Sequence, residues 1–302
     1  MKKSAFSLIE LSIVILIIGI LVAGVTQSSR LIAKMRLASA RSQTQSSEAN
    51  SIKNMIFWLE TTSEKSLDDA ATEDGISIDV TTTNYSWYDI NSQLSQKSNA
   101  SVATGGADYK LNCINNLPCL HFESTSSERM DITQTNGVSS QLSTFIVFRS
   151  LSLTTVPQSL ISVRGVTHAS ANNSFQLNIN ASRVIQYDYF NGAGTQVTTA
   201  VTASAITTIT PYLVDVVDDG TATQTISINN ASGMTRVAIS GTSGPKNLNA
   251  GFNIGAWNNG TTTARYFNGD IGEIIMFDRA LKQEERNAVE KYLGKKWGIK
   301  SF

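Results

Sequence analysis

Phe6-Ser-Leu-Ile-Glu-Leu-Ser-Ile-Val-Ile-Leu-Ile-Ile-Gly-Ile-Leu-Val-Ala-Gly-Val25 follows a short basic leader, Met1-Lys-Lys-Ser-Ala5, and a single charge, that of Glu10, interrupts it. Twenty helical residues rise about 30 Å, the thickness of a bilayer's hydrocarbon core. A carboxylate within such a span costs roughly 2.5–3.5 kcal/mol on insertion scales, so Glu10 needs a reason to be there. A secretory signal peptide carries its small-residue cleavage site after the apolar core. Here the small residue, Ala5, precedes it, and a cut at that place leaves the helix on the mature chain.

These residues resemble the type IV pilins and pseudopilins, whose prepilin leader precedes a Phe-Thr-Leu-Ile-Glu-type segment. Lys2 and Lys3 match the leader charges, and Gly19 matches a glycine midway along the apolar run. The resemblance implies cleavage between Ala5 and Phe6 by a prepilin peptidase and methylation of the Phe6 amine. It also implies that Glu10 pairs with the Phe6 amine of a neighbouring subunit. A buried carboxylate is tolerable where a cation lies within hydrogen-bonding reach, so such a pair would set the register of assembly. Two departures stand out. Ala5 replaces the family's usual Gly, and Gln27 stands near the place of a frequent proline.

Lys+Arg and Asp+Glu both number 24 among 302 residues, and loss of Lys2 and Lys3 with the leader leaves 22 against 24, a net charge of −2. That balance carries no electrostatic footprint for nucleic acid. Leader lysines and a single apolar span place the N-terminus in the cytoplasm and the rest outside. Cys113 and Cys119, in Asn-Cys113-Ile-Asn-Asn-Leu-Pro-Cys119, have the spacing of a disulfide-closed loop, worth about 2 kcal/mol. The alternatives are free thiols, or a zinc site for which only His121 stands nearby.

Four segments are expected: a leader at 1–5, an assembly helix at 6–25, a helical stalk at 26–55 and an all-β domain at 56–302. The stalk reading rests on Leu31, Met35, Ala38, Ala49 and Ile52 at three- and four-residue spacings without Pro or Gly. Strand-like runs follow at Ile56–Leu59, Ile76–Val80, Thr144–Phe148, Ser174–Ile179, Val184–Tyr187, Tyr212–Val217, Thr225–Ile228, Arg236–Ile239, Phe252–Ala256 and Gly272–Phe277. Many short strands separated by turn residues predict an antiparallel jelly-roll sandwich, with Asp218-Asp219-Gly220 as a hairpin turn. Residues 280–297 read as a helix with Glu284 and Glu285 in its first turn and Lys291, Lys295 and Lys296 toward its end, the polarity the helix dipole favours. Val289, Tyr292, Leu293 and Trp297 would form its buried face.

Tyr266-Phe-Asn-Gly-Asp-Ile-Gly-Glu-Ile-Ile-Met-Phe277 and the helix after it resemble the closing segment of laminin-G-like, concanavalin A-like lectin and glucanase domains. Ser86–Asn91 and Ile114–Glu123 are similar in kind. A glucanase on this fold uses a Glu-x-Asp-x-(x)-Glu strand, and Asp270-Ile-Gly-Glu273 lacks the first Glu. Glu273 is expected to face inward and to need a cation, with Arg279 as the candidate. Only His121 and His168 are available for triad chemistry, without a nucleophile elbow, so no enzyme is expected. No cofactor is expected beyond a Ca²⁺ that laminin-G-like domains sometimes hold, for which Asp215, Asp218, Asp219, Asn258 and Asn259 are candidates, although such clusters often only make turns. Trp257, with Asn258 and Asn259, is the expected ligand contact; Tyr88, Tyr187 and Tyr189 are further stacking candidates, while Trp87 reads as core.

The reading is thus a pilin-like subunit, held in the inner membrane before assembly and extracellular afterwards, displaying a lectin-like sandwich for adhesion to a glycan or surface protein. Its rivals are a purely structural filament subunit, a minor pseudopilin of a secretion or DNA-uptake machine, and a surface-tethered glycan hydrolase.

Overall fold

The computed structural model describes residues 8–67, 85–102, 105–133, 137–163, 174–193, 195–258 and 263–301. Ala5, Phe6, His168, Asn259 and the strand expected at 76–80 lie outside them. Helix α1 (Leu8–Gln45) runs 38 residues from the apolar segment into the stalk without a break. It ends sooner than the spacing of Ala49 and Ile52 predicts. Ser47 caps a short 3₁₀ turn at Glu48–Ser51 by accepting from the Ala49 amide, and that turn redirects the chain into the first strand.

Eight described strands form sheet I: β1 (Met55–Glu60), β4 (Asp108–Lys110), β5 (Cys119–Phe122), β8 (Leu142–Ser150), β13 (Pro211–Asp218), β14 (Thr223–Asn230), β15 (Gly233–Ser240) and β20 (Gly269–Phe277). Their order is β15-β14-β13-β8-β20-β5-β4, with β1 also paired to β20. Eight more form sheet II: β2 (Ser86–Trp87), β3 (Ala100–Val102), β6 (Met130–Ile132), β9 (Gln158–Val163), β10 (Ser174–Ile179), β11 (Ile185–Phe190), β12 (Gln196–Val201) and β17 (Phe252–Ile254). Its order is β12-β11-β10-β9-β17-β6-β3-β2. Two short ladders pair β7 (Val138–Ser139) with β16 (Lys246–Asn247), and β18 (Trp257–Asn258) with β19 (Thr263–Ala264). The pairings are antiparallel, as expected of a sandwich whose strands alternate inward and outward residues.

Between the sheets lies the main core. Phe57, Trp87, Phe122, Phe148, Phe175 and Phe252 are wholly buried there, with Phe57 and Phe252 edge to face at 5.6 Å. Tyr187 and Tyr189, read as stacking candidates, point into this core instead. A second apolar layer covers the outside of sheet I, where helix α2 (Gln283–Trp297) packs Val289, Tyr292, Leu293 and Trp297 against Trp58, Phe145 and Ile275, with Ala40 of α1 in the same cluster. With both faces covered, β1 and β20 are buried at every position. The Glu285 carboxylate accepts from the Lys282 amide at the start of α2, and Gly298, at φ 65°, closes its end.

The hairpin expected at Asp218-Asp219-Gly220 joins β13 to β14. Asp219 Oδ1 accepts from the amides of Thr221, Ala222 and Thr223, and Gly220 takes the positive φ of 78° that the turn needs.

Candidate functional site

Sheet II carries one polar residue from each of its eight strands in a single cross-strand row. Ser86 pairs with Ser101, Ser101 with Asp131, Asp131 with Asn253, Asn253 with Ser162, Ser162 with Gln176, Gln176 with Asp188 and Asp188 with Thr199. Seven inter-strand steps make the row about 34 Å long. Strand alternation puts it on the face opposite the core, because its neighbours Ala100, Met130, Phe252, Ile161, Phe175, Leu177 and Tyr187 fill the interior. Its central members, Asp131, Asn253, Ser162, Gln176 and Asp188, are nonetheless buried side chains, packed side by side.

Asp188 is the row's most heavily bonded member. Gln176 Nε2 (2.8 Å) and Asn178 Nδ2 (3.3 Å) donate to Oδ2, Gln196 Nε2 (3.0 Å) and Thr199 Oγ1 (2.8 Å) to Oδ1, and Gln186 Nε2 to both at 2.9 Å. Five neutral donors thus hold one carboxylate, with no ion pair to a described cation. Each carboxamide so fixed presents its other polar atom in a set direction. Together with Arg265 these groups line a cavity of 280 Å³. Arg265 Nη1 donates to Gln176 Oε1 at 3.0 Å, and its guanidinium stacks on the Trp257 ring at 5.0 Å. Further along, Asn253 Nδ2 and Arg129 Nε donate to Asp131 Oδ1 at 2.6 and 3.2 Å, and Asn258 Nδ2 and Arg129 Nη1 both reach Thr263 Oγ1. Asn253 Oδ1 is buried and accepts no bond from the described residues.

Trp257 and Asn258 therefore lie half-buried on β18, beside the polar row rather than in an irregular loop. The sequence reading missed Asp188, Gln176, Asn178, Gln186, Gln196 and Arg265. Their signal was present in the alternation of Ser-Phe-Gln-Leu-Asn-Ile179 and Ile-Gln-Tyr-Asp-Tyr-Phe190, where every outward position before Phe190 is polar.

The acidic candidates lie apart. Asp215 faces α2 and pairs with Arg286, whereas Asp218 faces sheet II, pairs with Lys246 at 3.1 Å and accepts from the Tyr187 hydroxyl at 2.7 Å. Asp219 is taken up by its own turn. Cys113 and Cys119 form a disulfide, so their sulfurs, though close to Asp270, are not free to ligate a metal. Asp270 is bonded by Arg149 and by His121 Nδ1 at 2.8 Å. Glu10 and Gly19 lie on the exposed surface of α1.

Glu273 is buried, but its cation is Lys296 at 2.9 Å, not Arg279, which instead forms a bidentate pair with Glu285. A bulge at Gly272 turns Glu273 onto the α2 side, away from Ile271. Lys296, read from sequence as a complement to the helix dipole, is wholly buried.

The fold and its first helix define a β-sandwich joined to a helix able to cross a membrane, with a mean hydropathy of 2.9 in its apolar window. The family described as the prokaryotic N-terminal methylation motif matches residues 1–26, so the chain carries a prepilin-type N-terminus. No curated protein is similar in sequence to the chain. Among solved structures, the CBM40 of a Ruminococcus gnavus IT-sialidase, bound to α2,3 sialyllactose, is 19% identical, with a TM-score of 0.40 over 49% of this chain and 80% of that one. Domain 4 of AbnA, a Geobacillus stearothermophilus arabinanase, in complex with arabinotriose, is 17% identical, with a TM-score of 0.41 over 62% and 78%. A SAP-like pentraxin from Limulus polyphemus is 12% identical, with a TM-score of 0.40 over 54% and 75%.

Proposed function

We propose that the chain is a type IV pilin-like subunit, cut between Ala5 and Phe6, methylated at Phe6 and polymerised through α1, whose sandwich binds a glycan along the polar row of sheet II. The carrying observation is the row itself: eight aligned polar residues, locked carboxamides around Asp188 and the Trp257 face alongside. Sugars offer hydroxyls that donate and accept together with apolar ring faces, and fixed amides beside an aromatic ring match both needs. The buried, unpartnered Asn253 Oδ1 is an acceptor that a ligand hydroxyl would satisfy. A glycan hydrolase needs two carboxyl groups across the scissile bond, whereas Asp188 is the one carboxylate among the described residues lining this cavity and is saturated with donors. That supports binding without turnover.

The test is glycan-array binding of the full chain in detergent, with Gln176→Ala and Trp257→Ala beside it. A retained glycan whose binding falls at least roughly ten-fold in each variant supports the reading, in line with a lost hydrogen bond or stacked ring. No retained glycan, or variants that bind as the parent does, would remove it.

A further inference from the structure

Between α1 and the disulfide loop runs a groove of 740 Å³, lined on one side by Arg30, Lys34 and Leu37 and on the other by Leu111, Asn112 and Asn116. At 100° per residue, Arg30, Lys34 and Arg41 fall within about 40° of one another on the helix, so the three cations stand in one line facing the groove. Arg36 lies about 140° from that line. Residues 26–45 hold these four cations and no acidic residue. Arg41 is occupied, donating to the Thr62 carbonyl at 2.7 Å and pairing with Glu64 at 2.5 Å. Arg30 and Lys34 are exposed and have no side-chain partner among the described residues.

Their height is informative. Val25 ends the apolar run, and a rise of 1.5 Å per residue puts Arg30 about 8 Å and Lys34 about 14 Å beyond it. The headgroup layer is about 5–8 Å thick on each side, so Arg30 stands at its outer edge and Lys34 about 6 Å above it, a gap its long side chain can span to a phosphate. Basic residues on the exported side of a span also run against the usual cytoplasmic bias of Lys and Arg, so hydropathy and topology alone give them no role.

We propose that the lower mouth of this groove binds the headgroup of an anionic phospholipid from the outer leaflet, with Arg30 and Lys34 on the phosphate and Asn112 and Asn116 opposite to meet headgroup hydroxyls. Gln27, which lines the same groove about 3 Å beyond Val25, stands at the level of the glycerol backbone below the phosphate. Such a contact holds the sandwich over the bilayer at a set height while the subunit waits to assemble. The inference rests on the reading of α1 as a membrane span.

The full chain is reconstituted into phosphatidylcholine bilayers with and without phosphatidylglycerol, and lipids retained on the released protein are counted by native mass spectrometry. Retention of phosphatidylglycerol over phosphatidylcholine is expected. It should fall about five-fold in Arg30→Gln or Lys34→Gln and roughly thirty-fold in the double variant, each basic group near an anionic surface contributing about a factor of five. Arg36→Gln removes the same charge from the far side of the helix and should leave retention within about two-fold of the parent, as little more than screened attraction remains there. Equal loss in all three single variants would reduce the effect to diffuse charge attraction and overturn the site. Flotation with neutral vesicles but no preference for phosphatidylglycerol would overturn this inference alone. Failure to float with neutral vesicles would overturn the span as well.

Discussion

Lys296 Nζ lies 2.9 Å from Glu273 Oε2, and neither side chain reaches solvent. The same ammonium lies 2.9 Å from Glu60 Oε2 and donates to Thr44 Oγ1 of α1 at 2.8 Å. Glu273 also accepts from Trp58 Nε1, Tyr292 OH and Trp297 Nε1, and Glu60 from Thr62, Ser63 and Ser66. One lysine thus joins the stalk, the first and last strands of sheet I and the closing helix.

Removing that cation leaves two buried carboxylates without their counter-charge. Breaking a buried pair from one side costs about 3–5 kcal/mol, so Lys296→Met should lower the denaturant midpoint by that equivalent. Hydrogen exchange should also quicken at the end of α1, where Thr44 loses its donor. A variant as stable as the parent would show that the cluster contributes little.

The same cluster sets an acid limit. Burial raises the Glu60 carboxyl, but the Lys296 charge and the Ser66 and Thr62 hydrogen bonds outweigh it and hold the group at about 2. A folded-state value below the unfolded one stabilises the fold at neutral pH, in full above about pH 4.5, and that contribution drains away as pH falls toward 2. The shift is worth about 3 kcal/mol. Glu60→Gln should therefore flatten the loss of stability between about pH 5 and pH 2, measured by urea denaturation at each pH.

Glu128 works in the opposite sense. Burial pushes its carboxyl up to about 7, with Asp108 adding to the rise and the Glu123 amide opposing it. The folded state then holds a proton that the unfolded chain releases, so stability falls as pH rises from about 4.5 to about 7. Glu128→Gln should abolish that part of the slope. Parallel pH profiles for variant and parent would refute it.

How much of this is legible in sequence depends on the range of the contact. Strands such as Ser174–Ile179 announce themselves because alternation is local, and Val289, Tyr292, Leu293 and Trp297 because helical spacing is. Glu273 was read correctly as buried, but its cation was sought at Arg279 because the bulge at Gly272, which turns it toward α2, has no signature in a run of alternating residues. Lys296 sits where a helix end favours any lysine, and only tertiary packing distinguishes it from Lys295. The polar row was illegible for a stronger reason. It takes one residue from each of eight strands between Ser86 and Asn253, and its existence is a matter of register alone.

Gly272 lies against the indole of Trp297, where an added Cβ would sit 2.5 Å from Cη2. Trp297 is itself fixed by its bond to Glu273, so the ring has little room to retreat. Gly272→Ala should cost about 1–3 kcal/mol, the usual range for overpacking a closed core. Trp297→Phe in the same chain should recover part of the loss if the clash is the cause. No recovery would place the cost in the bulge's backbone instead.

On the proposed reading, in which Glu10 pairs with the Phe6 amine of a neighbouring subunit, insertion and assembly can be told apart at this residue. Glu10→Gln removes the charge but keeps a polar amide, so it eases insertion by less than the roughly 2.5–3.5 kcal/mol a mid-span charge costs and should leave at least as much subunit in the membrane as the parent. Filament yield should nevertheless collapse, because the neighbour's Phe6 amine, desolvated on assembly, would have lost its counter-charge. Immunoblots of membranes and of sheared filaments give the two quantities separately. A mere folding defect would lower both together, and filaments at the parent's yield would show that Glu10 has no part in polymerisation.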